Sequence, residues 1–100
     1  MAQQLKTTLY TLVGAGIQQM VANKNEQPYA VTFIADKGNG SAIHIGGDDN
    51  DPATHGYELT AGDSLDLQGD EVAGSMRLLD LSSFRVKGPA NSKVRIIYLA

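Results

Sequence analysis

The sequence predicts an all-β fold, a single-domain antiparallel β-sandwich or β-barrel of about six to eight short strands. Three observations predict it. Residues 92–99 set Lys93 and Arg95 against Val94, Ile96 and Tyr98, the period of two that marks a half-buried strand. Similar short apolar runs recur at spacings of about ten residues, parted by turns rich in Gly, Asn and Asp. No strand–helix–strand alternation of the kind that builds a parallel sheet is present. A chain of 100 residues is one domain by length.

Taken in order, residues 5–13 read as a strand with two apolar faces. Leu5, Leu9 and Val13 lie on one face and Tyr10 and Leu12 on the other, as expected for a strand that also touches a neighbouring subunit. Residues 1–24 are therefore read as a strand or arm segment that precedes the sandwich or barrel domain of residues 25–100. Gly14 and Gly16 break the first run, and residues 17–21 fit a short strand or a helical turn equally. A polar turn is expected at residues 23–28, where Pro28 holds Gln27 extended. Residues 29–35 form the second clear strand, with Tyr29, Val31, Phe33 and Ala35 on one face.

A Gly/Asn turn leads to a short strand that turns Ile43 and Ile45 inward. Residues 46–56 read as the longest irregular loop. Residues 57–60 are extended, residues 61–63 turn, and residues 64–68 alternate with Leu65 and Leu67 inward. The stretch 69–79 fits a helical turn, a loop or an irregular strand, since Gly74 weakens the helical spacing of Val72, Met76 and Leu79. Residues 81–87 alternate as a strand with Phe84 and Val86 inward. Residues 88–91 then turn the chain into its terminal strand.

Composition excludes several function classes. Eight Lys and Arg against 11 Asp and Glu give a net charge of -3 with no basic cluster, so nucleic acid is not an expected partner. The absence of cysteine removes disulfides, thiolate nucleophiles and Cys-ligated metals. The opening residues lack a basic region followed by an apolar run, and no apolar stretch approaches the ~18 residues that span a bilayer. The expectation is a soluble product of the cytoplasm with no membrane partner.

Candidate chemistry is sparse. His44 sits on a strand opposite in direction to Ile43 and Ile45, and His55 lies in the long loop. A cupin-like metal site would need a third histidine and a carboxylate beside them. Asp48, Asp49 and Asp51 cluster as oxygen ligands for a hard cation could, but no glutamate closes an EF-hand spacing, and a solvated turn explains them. No Gly-x-Ser-x-Gly elbow is present, and Asp63 and Asp66 beside Ser64 read as a turn residue and an outward strand residue. The glycine pairs 14/16 and 38/40 lack the Lys-Ser/Thr of a phosphate loop. The Asn39-Gly40-Ser41 sequon reads as a turn. The expectation is no catalytic residue, no cofactor and no metal: not an enzyme.

An ordered set of motifs runs through residues 29–99. Thr32-Phe33-Ile34-Ala35-Asp36 precedes Ile43-His44-Ile45-Gly46-Gly47. Gly56-Tyr57-Glu58-Leu59 and Ala61-Gly62-Asp63-Ser64-Leu65 follow, then Asp80-Leu81-Ser82-Ser83-Phe84-Arg85-Val86, and Val94-Arg95-Ile96-Ile97-Tyr98-Leu99 closes the set. The order resembles small β-rich virion proteins of tailed bacteriophages, which decorate capsids or occur elsewhere in the particle. The N-terminal 24 residues and the length of the 69–79 connection depart from the pattern. The resemblance implies a capsid decoration (cement) protein located in the virion, with the major capsid protein or another virion protein as partner and a homo-oligomeric state. Leu5, Leu9, Tyr10, Leu12 and Val13 are the candidate partner contacts. A tail, neck or baseplate component is the alternative within the particle. A cupin-like protein using His44 and His55 and a solitary intracellular binding domain are the alternatives outside it.

Overall fold

In the computed structural model, which describes residues 4–22, 27–72 and 75–99, the strongest alternations become the central strands. The chain forms β1 (Leu5–Thr11), β2 (Gln18–Gln19), β3 (Ala30–Ala35), β4 (Ile43–Gly46), a one-turn helix α1 (Pro52–His55) and β5 (Tyr57–Leu59). It continues with β6 (Ser64–Gln68), β7 (Asp70–Val72), β8 (Ser75–Arg77), a 3-10 turn (Leu81–Ser83), β9 (Arg85–Lys87) and β10 (Lys93–Leu99). Sheet A has the order β1-β10-β3-β6 and sheet B the order β2-β9-β4-β5, while β7 and β8 form a separate hairpin. Every pairing is antiparallel. The fold is an all-β sandwich.

One core lies between the two sheets. Sheet A contributes Val31, Phe33 and Ala35 from β3 and Val94, Ile96 and Tyr98 from β10. Sheet B answers with Ile43, Ile45, Leu59 and Val86. Each buried aliphatic side chain contributes about 1.5–3 kcal/mol relative to exposure, so the period-two pattern is what fixes which face of each strand turns inward. Phe33 meets Phe84 across the core with ring centroids 5.2 Å apart and planes tilted by 52°.

The N-terminal segment belongs to both sheets. β1 pairs along its whole length with β10, and β2 pairs with β9. Between them Leu12 is fully buried, and Met20 joins the same core. β1, β2, Leu12 and Met20 of the segment before residue 24 are thus built into the sandwich. The side chain of Gln18 closes the crossing: its Oε1 accepts from the Tyr10 hydroxyl (2.7 Å) and the Val13 N–H (3.0 Å), and its Nε2 donates to the Gly14 carbonyl (2.7 Å).

Two further stretches differ from the sequence reading, and in a third, residues 69–79, the strand alternative is the one found. The irregular loop at 46–56 contains α1. Asp51 caps this helix by accepting from the Ala53 N–H (2.9 Å), and Pro52 occupies its first turn. Residues 81–83 are a 3-10 turn instead of the start of a strand, because the Asp80 carboxylate accepts from both the N–H and the hydroxyl of Ser82. The 69–79 stretch carries the β7–β8 hairpin, with Asp70 opposite Arg77. The polar turn expected at residues 23–28 lies mostly outside the described residues.

Candidate interaction surface

The outward face of sheet A follows from the strand register. Val94, Ile96 and Tyr98 point into the core, so Lys93, Arg95, Ile97 and Leu99 point out. Paired residues share a face. The register therefore sets Leu5 beside Leu99, Thr7 beside Ile97, and Leu9 beside Arg95 on the outside of the sandwich. Thr32 and Ile34 of β3 extend the same rows. Leu5 is 68% exposed and Leu99 48%, an apolar pair at one end of the sheet, while Leu9, 49% exposed, stands beside Arg95. Groups of exposed large apolar side chains mark interaction sites, whereas scattered ones do not.

The other end of this face is polar and ordered. Arg95 donates to Asp36 Oδ1 at 2.8 Å, and the Thr32 hydroxyl donates to Asp66 at 2.7 Å. The Arg95 hydrogen bond, with the Gly38 N–H second, holds the Asp36 carboxyl below the usual carboxylate range. An open depression of about 270 Å³ lined by Ile34, Asp36, Lys37 and Arg95 lies here. The strand is anchored beside it by Asn39, whose amide donates to the Lys93 carbonyl (2.9 Å) and accepts from the Lys93 N–H (2.8 Å). That side chain imitates a neighbouring strand, so the sequon asparagine is a structural residue.

The five expected contact residues divide. Leu5 and Leu9 lie on the outer face, and Val13, beyond the end of β1, is 87% exposed. Leu12 is a core residue with no exposed surface, and Tyr10 packs against the core with its hydroxyl engaged by Gln18. Leu12 is corrected to a structural residue, because burial between the sheets leaves it nothing to offer a partner, while Tyr10 keeps part of its surface exposed. Ile97 and Leu99 were missed. Their signal was the loss of polarity on the Lys93–Arg95 side of the terminal strand after Arg95.

No family model, curated protein or solved structure matches the chain.

The remaining polar groups are committed locally. His44 lies on the outside of sheet B, 3.6 Å from Glu58, while His55 Nδ1 meets the Thr54 hydroxyl at 2.9 Å. Asp51 divides its carboxylate between the Ala53 N–H and the Lys87 ammonium (3.1 Å). These two, the amide first, hold its carboxyl below the usual range. Among the described residues no group of three His, Asp or Glu side chains is close enough to hold a metal ion. The loop of residues 46–56 surrounds a depression of about 190 Å³, below the ~300 Å³ at which small-molecule sites begin. The Asp63 carboxyl is also held low, by the Thr60 hydroxyl and then the Thr60 N–H, in a turn where Gly62 adopts a left-handed φ of 86°. Among the described residues no helix is long and apolar enough to cross a membrane.

Proposed function

We propose that this chain is a structural component of a tailed-bacteriophage virion, a decoration (cement) protein that binds the head surface and stabilises the capsid lattice. Two supports carry the reading. The ordered motifs between residues 32 and 99 supply the resemblance to virion proteins. The outer face of sheet A supplies the means of binding: exposed Leu5, Leu9 and Leu99 on a rigid sheet, beside the fixed Arg95–Asp36 pair. A lattice under internal pressure is stabilised by small rigid bodies that bridge capsomers. A flat apolar patch with a polar rim is the surface such a bridge requires. The partner is the major capsid protein, and the function is binding without catalysis.

The test begins with particles released from a culture that carries the gene, purified on a density gradient. Mass spectrometry should find the chain in the banded particles, and a cryo-EM map should place it on the head. Density on the tail, neck or baseplate would move the proposal within the virion. Absence of the chain from intact particles would end it. Deleting residues 1–14 is not a usable probe of the contact, since it removes the strand paired along β10 and the core residue Leu12.

A further inference from the structure

We propose that the free edge of β1 pairs antiparallel with β1 of a second copy about a two-fold axis at Thr8, joining two A sheets into one. This deepens the homo-oligomer part of the virion reading and can fail separately from it.

The ladder shows which backbone groups are free. The Leu12 N–H donates to the Ser92 carbonyl (2.9 Å) and the Leu12 carbonyl accepts from the Asn91 N–H (2.8 Å), so Leu12 faces the β10 side. Alternation along an antiparallel strand then turns residues 6, 8 and 10 toward β10 and residues 5, 7, 9 and 11 toward the open edge. The Val13 N–H agrees, since it turns away from Ser92 to the Gln18 side chain. Among the described residues no strand pairs this edge.

The other sheet edges carry protection. β5 has three residues with Glu58 at its centre, β2 has two residues, and β6 carries Asp66 at its centre. Short strands and central charges are how native sheets prevent added pairing. β1 has seven residues and one charge, Lys6. A long edge with no charge at its centre calls for another strand.

Its own sequence satisfies that call. Centred on Thr8, antiparallel pairing sets Leu5 against the partner's Thr11 and Thr7 against the partner's Leu9. All four outward residues of both strands are then used, in roughly eight backbone hydrogen bonds. Thr8 meets its own copy in a cross-strand threonine pair, a favourable neighbour. Lys6 falls opposite the partner's Tyr10, so the two ammonium groups never face each other. Registers shifted along the strand leave outward groups unpaired. The joined sheet would have eight strands, within the usual range.

Sedimentation velocity of the intact protein over a concentration series should show a monomer–dimer equilibrium. Thr7→Pro removes an N–H that points to the open edge, so the pairing with β10 survives. Dimerisation should weaken at least about thirtyfold, with β-type circular dichroism unchanged. Thr8→Cys should form an interchain disulfide on mild oxidation, because directly opposed residues of a non-hydrogen-bonded pair have Cα atoms about 4.5 Å apart. Thr11→Cys, distant from its own copy, should not. A wild-type protein that remains monomeric or forms trimers overturns the inference, as does a folded Thr8→Cys that fails to cross-link. If Thr7→Pro does not fold, the cross-linking pair decides alone.

Discussion

The outer faces of the two sheets are built alike but carry different side chains. On sheet B, His44, Glu58, Lys87, Arg85 and Gln19 cover the surface, and their polar groups find partners nearby. Glu58 serves His44, Asp51 serves Lys87, and the Ser82 carbonyl accepts from both Arg85 and Gln19. On sheet A the equivalent positions hold Leu5, Leu9, Ile97 and Leu99 between threonines. Water solvates the first face at little cost. The second leaves apolar area exposed, a cost of about 25 cal/mol for each Å² that a partner could cover. A sandwich needs no apolar side chains on its outside for stability, and the proposed binding rests on their presence on sheet A.

The harshest way to break the contrast is to remove the scaffold that holds both faces. Ile96 has no exposed surface and stands between Thr8 and Phe33 in the centre of sheet A. Ile96→Asp should cost about 4 kcal/mol or more and abolish the cooperative thermal transition. Next is a change confined to the charged side of the molecule. A Cβ on Gly56 would lie 2.5 Å from the Pro52 carbonyl and 2.6 Å from that of Ile45, both fixed backbone. Gly56→Ala should therefore cost roughly 2–4 kcal/mol in urea denaturation, through the α1–β4 junction. A folded fraction held at low temperature should still bind through sheet A.

The smallest effect concerns pH. The Asp36, Asp51 and Asp63 carboxyls are held below their unfolded value, so each adds stability that is present above that value. It disappears as pH falls through the lower folded value. Urea midpoints should be flat from pH 7 to about pH 5 and decline below about pH 4. Asp36→Asn should make that decline shallower by removing one of the three groups. A midpoint that falls with rising pH in this window would contradict the assignment.

The fold was legible where one face of a strand is apolar and the other polar. β3 and β10 were readable for that reason, down to the inward set Val31, Phe33, Val94, Ile96 and Tyr98. β1 was readable as a strand but not in its orientation. With Leu5 and Leu9 on one face and Tyr10 and Leu12 on the other, alternation cannot say which side meets the core. Only pairing with β10 settles it, and that contact joins the two ends of the chain. The helix α1 spans four residues, too few for a helical period to register. Its sole signal was a capping aspartate followed by proline. The same limit hid the Asp80-capped turn inside an apparent strand. Half of the candidate surface was therefore visible as Leu5, Leu9 and Val13. The other half needed the register that sets Leu99 beside Leu5 and Ile97 beside Thr7.

The most direct test of the central claim compares the two outer faces in one assay. Leu5→Lys/Leu9→Lys places charge on sheet A at exposed positions, and Glu58→Lys places it on sheet B. Both variants should keep stability within about 0.5 kcal/mol per substitution, checked by thermal melts. The measurement is the number of copies bound per particle, by quantitative co-sedimentation with particles lacking the protein. The account predicts that the sheet A variant loses nearly all bound copies while the sheet B variant saturates as wild type does. Equal saturation by both, or loss confined to Glu58→Lys, would contradict it.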